Sequence, residues 1–439
     1  MIAQYPPMGW NSWDCYGAAV NEAQVRQNAD YIAKHLKAYG WEYVVVDIQW
    51  YQPTASSHAY EPFSSVAMDG YGRLLPAENR FPSSADGKGF RPLADHIHSL
   101  GLKFGIHIMR GMPRMAAHKH LPVLNSAAGC DELADPNSIC AWNPDMYGIR
   151  QDHPEARRYY DSIFALYAEW GVDFVKCDDI AREYPRCERE IELISEACAN
   201  CGRDMVLSLS PGPAPIERAE HLKRWANMWR ITDDFWDDWS LLKNMFERAE
   251  KWCIHSGPGH WPDADMLPVG ALRQCYAGNG VKAGEKGGPW TCFTEPEQRT
   301  MMTLWCMMRA PLMAGAELTK NDDFTLALLT NAEVIAIGKE SYCGHPLYTT
   351  ESECVWFAPR KDGTGAYIAL FNFAEEEREI RVDDDAAEYP FNTARELWTG
   401  ETVRELKAKL QPHDAAVWRL DRADHRNQPP RDPESEASQ

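Results

Sequence analysis

No stretch of the 439 residues approaches the roughly 20 consecutive apolar residues of a membrane span, which argues against a helical membrane protein. The opening MIAQYPPMGWNSWD has neither the basic stretch nor the apolar run of a secretory leader, so a cytoplasmic protein is expected. Positive charge is scarce: 45 Lys and Arg stand against 65 Asp and Glu, a formal net charge of −20. Such a surface repels phosphate backbones and anionic lipid, so neither nucleic acid nor membrane is expected as a partner, whereas a neutral substrate loses nothing in that field. Thirteen cysteines form no repeating framework. That is the pattern of free thiols in a reducing compartment rather than of a disulfide scaffold. Whether Cys130 and Cys140 pair across their loop is left open. There is no G-x-x-x-x-G-K-[ST] loop and no G-x-S-x-G turn, so phosphoryl transfer and serine-nucleophile hydrolysis have no support.

What is present is an ordinary globular mixture, 44% apolar and 25% charged residues. The length fits two domains at roughly 150 residues each. A chain of this size buries about three quarters of its unfolded surface and needs no disulfide or metal to fold. Over 1–332, short apolar runs alternate with amphipathic stretches. The runs YVVVDI (43–48), LKFGIHI (102–108), VDFVKCD (172–178) and MVLSLS (205–210) read as parallel strands covered on both faces. Residues 8–13, 228–232, 257–262 and 311–315 supply four less obvious strands. Helical patterns lie between: 21–39 carries apolar Val25, Ala29, Ile32, Ala33 and Leu36 and stops at Gly40, and 154–170 has Pro154 near its start and Gly171 just past its end. About eight strand–helix units predict a (β/α)8 TIM barrel, with a doubly wound open sheet as the competitor. The reactive residues at or after five of the runs, Asp14, Asp47, His107, Asp178 and Asp234, favour the barrel, which gathers its strand ends around one mouth. Beyond it, short segments at 355–358, 365–371, 379–382 and 415–420 read as a small antiparallel β domain over 333–421. The tail 422–439 has almost no apolar residues and is expected to be disordered.

The acids at the strand ends carry the candidate chemistry. Lys176 and Asp178, two residues apart on a strand, point to the same side, and the ammonium favours an ionised carboxylate suited to a nucleophile. Asp234 lies among Asp233, Asp237 and Asp238, where neighbouring charge raises a carboxyl pKa and suits a proton donor. The competing reading is that these aspartates cap the following helix. Two carboxyl groups at one mouth, one ionised and one protonated, are the equipment of a glycosidase. His96 and His98 sit in the helical stretch 92–100, where i and i+2 share no face, and His118 and His120 lie in a loop without a third ligand; no metal and no cofactor is expected. Some of the seventeen tryptophans suit the apolar faces of a sugar ring, and most are expected in the core.

At this level the chain resembles glycoside hydrolase family 27, the α-galactosidase family. The resemblance is carried by PMGWNSW (7–13), GWEY…DIQW (40–50), LKFGIH (102–107), GVDFVKCD (171–178), WRITDD (229–234) and GPGHWPDADML (257–267), in the family's order. It implies a barrel followed by a C-terminal antiparallel β-sandwich, and a metal-free, retaining double displacement. By that resemblance Asp178 is the nucleophile and Asp234 the acid/base. Trp13 stacks beneath the sugar, Lys176 and Asp47 bind ring hydroxyls, Arg230 positions Asp234, and Asp265 supports the site.

The departures from the family pattern bear on specificity. α-Galactosidases carry two adjacent acids where this chain has Asp47-Ile48, and the pair holds O4 and O6 of galactose. Isoleucine removes an acceptor and adds apolar bulk at C6, and β-L-arabinopyranose is the same ring without its hydroxymethyl arm. The expectation is therefore an exo-acting β-L-arabinopyranosidase with weaker α-galactosidase activity, acting on a small oligosaccharide or glycoside. The alternatives are a plain α-galactosidase and, more remotely, a non-catalytic carbohydrate-binding protein. His107 stands where a tyrosine is common and Ser210 where many members have Glu, so both are expected sugar contacts of altered character. A cysteine common after the nucleophile is absent at Asp178-Asp179-Ile180. The insert 110–151 is expected to overhang the mouth and shape the leaving-group side, or to form a homo-oligomer contact.

Overall fold

The computed structural model describes residues 1–276, 286–382 and 391–422. Eight strands form one parallel sheet: β1 (Met8–Asn11), β2 (Tyr43–Val46), β3 (Lys103–Met109), β4 (Phe174–Asp178), β5 (Val206–Leu209), β6 (Met228–Arg230), β7 (Trp261–Asp263) and β8 (Leu312–Ala314). Their order is β7-β6-β5-β4-β3-β2-β1-β8. A parallel bridge from Leu267, just past β7, to Ala314 of β8 joins the two ends of the sheet. The Leu267 N–H donates to the Met313 carbonyl at 2.7 Å and the Gly315 N–H to the Leu267 carbonyl at 3.0 Å. The expected barrel is therefore present. Its interior is packed by Tyr43, Val45, Phe174, Val206, Met228, Trp261, Met266 and Met313, the inward-facing residues of alternate strand positions.

The helices follow their sequence signals. Asn21 caps the helix Glu22–Tyr31 in a reciprocal capping box with Gln24, and the stretch tightens and loosens through Ile32–Leu36 and Lys37–Tyr39 before Gly40 ends it at φ 100°. The helix Ala156–Trp170 ends at Gly171 with φ 82°. Several expected strands are shorter than read, and two show why. β1 stops at Asn11, because Trp13–Tyr16 turns into a helical segment, and Asp14 lies on that turn rather than at a strand end. β7 begins only at Trp261, since Gly257 and His260 bridge in a tight turn before it. The Cys130–Cys140 pairing left open by the sequence is not made: all thirteen cysteines are thiols, and both of these are buried.

The C-terminal sheet is antiparallel, six strands running from His345–Thr349 to the short Thr402–Val403, with Gly365–Asn372 at its centre. Its alternation is read out by two cores. Ile368 and Leu370 face Ile380, Val382, Leu406 and Leu410 of the opposing layer built on Arg378–Arg381 and Lys407–Leu410, whereas Tyr367, Ala369 and Phe371 face the barrel core. Arg422, counted with the tail from sequence, instead pairs with Phe391 at the end of the strand Ala415–Arg422; the rest of the expected tail lies outside the described residues. The barrel meets this sandwich through the helix Trp239–Trp252, where Phe246 packs edge-on against Phe371 and Phe373 at 4.8 and 4.7 Å. Trp239 stacks on His413 at 3.8 Å, and Arg299 pairs with Asp414 at 3.0 Å. Removing the Phe246 ring leaves a cavity at this junction, so Phe246→Ala is expected to cost about 3–5 kcal/mol in denaturant unfolding. A loss below about 1 kcal/mol would show that the junction adds nothing to stability.

Candidate active site

The strand alternation that packs the barrel floor also sorts the residues at its mouth. On β4, Phe174 lies in the floor and Lys176 and Asp178 follow on the same side. On β2, Tyr43 and Val45 point inward, and just beyond it so does Asp47. On β6, Met228 is succeeded by Arg230, and past β7 Asp265 and Met266 complete the ring. The result is a cavity of about 180 Å³, whose walls include Trp13, Asp14, Asp47, Tyr60, Trp142, Lys176, Asp178, Arg182, Arg230, Asp234, Trp236, Asp265 and Met266. That is below the roughly 300 Å³ at which drug-sized sites begin, and suits one small ring.

Asp178 sits at the inner end. His107 Nε2 donates to its Oδ2 at 2.9 Å and the Asp179 N–H to its Oδ1 at 2.9 Å. Burial pushes this carboxyl up, but the His107 hydrogen bond and the charges of His107 and Lys176 outweigh it and hold it well below the usual carboxylate range. Lys176 Nζ donates to Asp47 Oδ2 at 2.9 Å, as does Asn11 Nδ2 at 2.7 Å. Burial alone would release the lysine proton, and Asp47 and Asp178 keep it. Burial likewise opposes ionisation of Asp47, and Lys176 and His107 reverse it, leaving that pKa lowered.

Asp234 stands at the outer end with 56% of its side chain exposed, against 12% for Asp178. Arg230 reaches it at 3.2 Å through Nη2 and Asp265 at 2.7 Å through Nη1. Asp265 also accepts the Phe235 N–H at 2.8 Å. Burial pushes Asp265 up to about 6, with Arg230 pulling it down and the charges of Asp234 and Asp263 adding to the rise.

The predicted cluster around Asp234 does not form as a set of facing acids. Asp233 pairs with Arg182 at 2.8 Å, and Asp237 turns inward to Arg273 and the Cys292 N–H. Asp238 caps the helix Trp239–Trp252 by accepting the Ser240 N–H at 2.9 Å, as the competing reading had it. The four expected metal-excluded histidines have local partners: His96 with Asp30, His98 with Asp173, His118 with Tyr147 and His120 with Asp131.

Of the ten site residues expected from sequence, seven line this cavity: Trp13, Asp47, Lys176, Asp178, Arg230, Asp234 and Asp265. Three do not. His107 is fully buried behind Asp178. Ser210, just before Pro211, opens instead on a small void of about 20 Å³ inside the barrel. Ile48 is 1% exposed and joins Val44 and Val46 in the main core, on the opposite parity from Tyr43, Val45 and Asp47. Conversely, Tyr60 and Trp142 had no sequence signal as site residues. Both come from irregular segments, Tyr60 stacking on Trp13 at 5.1 Å and Trp142 leaning on Tyr60 at 5.1 Å. Trp142 belongs to the insert 110–151, which brings this one ring to the cavity. Gln49 and Tyr51 hold that insert down through Asp145. Met266 lies inside the segment 257–267 and Trp236 two residues past Asp234, a signal that was available.

A family model described as alpha galactosidase A matches residues 147–279, and one for the alpha galactosidase C-terminal beta sandwich domain matches 352–420. A GH27 β-L-arabinopyranosidase from Geobacillus stearothermophilus, crystallised with arabinose, is 50% identical, with a TM-score of 0.91 over 96% of this chain and 98% of that one. The chain belongs to glycoside hydrolase family 27. An alpha-galactosidase from Cyamopsis tetragonoloba is 27% identical over 433 residues, covering 95% of this chain and 87% of that protein. Alpha-galactosidase A of Cellvibrio japonicus is 28% identical over 452 residues, covering 95% and 92%. As a family 27 glycoside hydrolase the protein acts on carbohydrate, and among the described residues no helix is long and apolar enough to cross a membrane.

The electrostatics of Asp178 make a sharp expectation. A depressed carboxyl stays ionised until the pH falls through its folded pKa, and removing His107 takes away the chief lowering influence while burial remains. In His107→Leu the acid limb of the kcat/KM profile should therefore move up by about one pH unit or more. A profile unmoved on the acid side would mean that His107 does not set the charge of Asp178.

Proposed function

We propose that this family 27 enzyme is an exo-acting, retaining glycosidase that releases terminal β-L-arabinopyranose, with weaker action on α-D-galactosides. The observation that carries the mechanism is the division of labour across one ring-sized cavity. Asp178 is ionised by His107 and Lys176 at the closed end, and Asp234 is half open to water at the mouth. The Asp178 carboxylate attacks the anomeric carbon while Asp234 gives its proton to the departing glycosidic oxygen. The bond to the leaving group breaks as the glycosyl ester of Asp178 forms. Asp234, now a carboxylate, takes a proton from water. That water then attacks the same carbon and expels Asp178, so two inversions give net retention. Trp13 faces the ring, Asp47 and Lys176 hold hydroxyls, and Arg230 orients Asp234 with the support of Asp265. His107 and Ser210 contribute from behind the wall, His107 through Asp178.

The sugar assignment is supported by the likeness to the arabinopyranosidase and by the residue next to Asp47. Ile48 is turned into the core and accepts no hydrogen bond, so this position offers a galactoside 6-hydroxyl nothing of what a second acid reaching the cavity would supply, a penalty of about 1–3 kcal/mol. β-L-Arabinopyranose has no such arm. Thiol cysteines, most of them buried, support a reducing compartment. A second reading, plain α-galactosidase, is favoured by the activities named for the relatives from Cyamopsis and Cellvibrio.

Comparing kcat/KM on p-nitrophenyl β-L-arabinopyranoside and p-nitrophenyl α-D-galactopyranoside separates the two; we expect the arabinoside to be preferred, and a clear galactoside preference establishes the second reading. Ile48→Asp should shift that ratio toward the galactoside by about ten-fold or more, and no shift would argue against the 6-hydroxyl account. Asp178→Asn is expected to abolish turnover while calorimetry still detects sugar binding. Unchanged turnover would remove Asp178 as the nucleophile.

A further inference from the structure

Among the carboxylates lining the cavity, Asp14 stands apart. Asp47 accepts from Asn11, Lys176 and the Ile48 N–H, and Asp178 from His107 and the Asp179 N–H. Asp265 and Asp234 share Arg230, and Asp233 pairs with Arg182. The Asp14 side chain makes no hydrogen bond or ion pair among the described residues. It is nevertheless only 3% exposed, and its Oδ2 is sealed from solvent without a partner. The main chain holds the residue in place, since the Asp14 carbonyl accepts the Arg273 N–H at 2.8 Å.

Room for the carboxyl is provided by Gly315, where an added Cβ would stand 2.1 Å from Oδ2 and 2.7 Å from the Asp14 Cβ. A buried polar group with no partner is unfavourable for folding, so the carboxyl does nothing for the fold that an apolar group of its size would not do better. Burial first, and then the charge of Asp265, hold it well above the usual carboxylate range against the pull of Lys176 and Arg273, with Asp234 adding to the rise. A neutral carboxyl both donates and accepts, which is what a sugar hydroxyl offers in return.

Taking the cavity as the terminal-sugar site, on which this step rests, we infer that Asp14 is a sugar-binding residue whose carboxyl hydrogen-bonds a ring hydroxyl on the flank shared with Asp265. It supplies the partner that every other acid in the cavity has already given to the protein.

The test uses the full-length enzyme and whichever of the two p-nitrophenyl glycosides it turns over. Asp14→Ala should raise KM by about ten-fold or more, with kcat falling less than KM rises, because binding common to ground and transition states is removed. The thermal midpoint should stay level or rise, which a structural role would not allow. Asp14→Asn, whose amide also donates and accepts, should recover part of the loss. Gly315→Ala, which crowds the carboxyl from behind, should raise KM in a chain that keeps Asp14. A KM within two-fold of wild type in Asp14→Ala, or an unmoved KM in Gly315→Ala, overturns the inference while the wild-type turnover leaves the glycosidase reading standing. Absence of turnover of both glycosides by the wild type defeats the reading and this inference together.

Discussion

One ammonium group inside the barrel mouth sets the chemistry of everything around it. Lys176 points inward because β4 alternates, and it has carboxylates on two sides that keep its proton in place against burial. In return it lowers both Asp47 and Asp178. With His107 behind Asp178, the inner half of the cavity becomes a place where carboxyl groups are ionised. On the other flank Asp14 and Asp265 are held above the usual range, Asp14 without a partner and Asp265 despite its pairing with Arg230. The same side-chain type, in one cavity, is thus divided by burial and neighbours into members that ionise more readily than usual and members that ionise less readily.

The fold makes this division possible at little cost in precision. Four of the functional side chains continue strands whose earlier residues are locked in the barrel floor: Tyr43 and Val45 before Asp47, Phe174 before Lys176 and Asp178, Met228 before Arg230. Their positions are therefore as rigid as the core beneath them. The rim is built differently. Tyr60 and Trp142 arrive from irregular segments tied down by polar contacts such as Gln49 and Tyr51 to Asp145, so the rim can vary without disturbing the floor. The C-terminal sandwich packs on the barrel through Phe246 and Trp239, and among the described residues it contributes no wall to the cavity.

Much of this was legible before any coordinates, and the reasons are local. Period-two alternation in VDFVKCD puts Lys176 and Asp178 together, and glycine after an amphipathic run marks helix ends at Gly40 and Gly171. Where the backbone is irregular the reasoning had less to hold. The run of aspartates after β6 looked like one electrostatic cluster, but the chain turns between them and sends Asp233, Asp237 and Asp238 to three different partners. Adjacency on an extended chain means opposite faces, so Ile48 packs in the core while Asp47 lines the cavity. Tyr60 and Trp142 were invisible as site residues because nothing periodic connects them to Trp13. Asp14 was noticed as a reactive residue near a strand end and then left without a role; only the count of its missing partners distinguishes it.

The central claim is that Asp178, kept ionised by His107 and Lys176, forms a covalent bond to the anomeric carbon during turnover. Its most direct test is intact-mass and peptide analysis of the enzyme after incubation with a slowly hydrolysed fluorinated β-L-arabinopyranosyl fluoride. The account predicts a single pentosyl adduct on the peptide that contains Asp178. An adduct on another carboxyl group, or time-dependent inactivation with no adduct at residue 178, would contradict it.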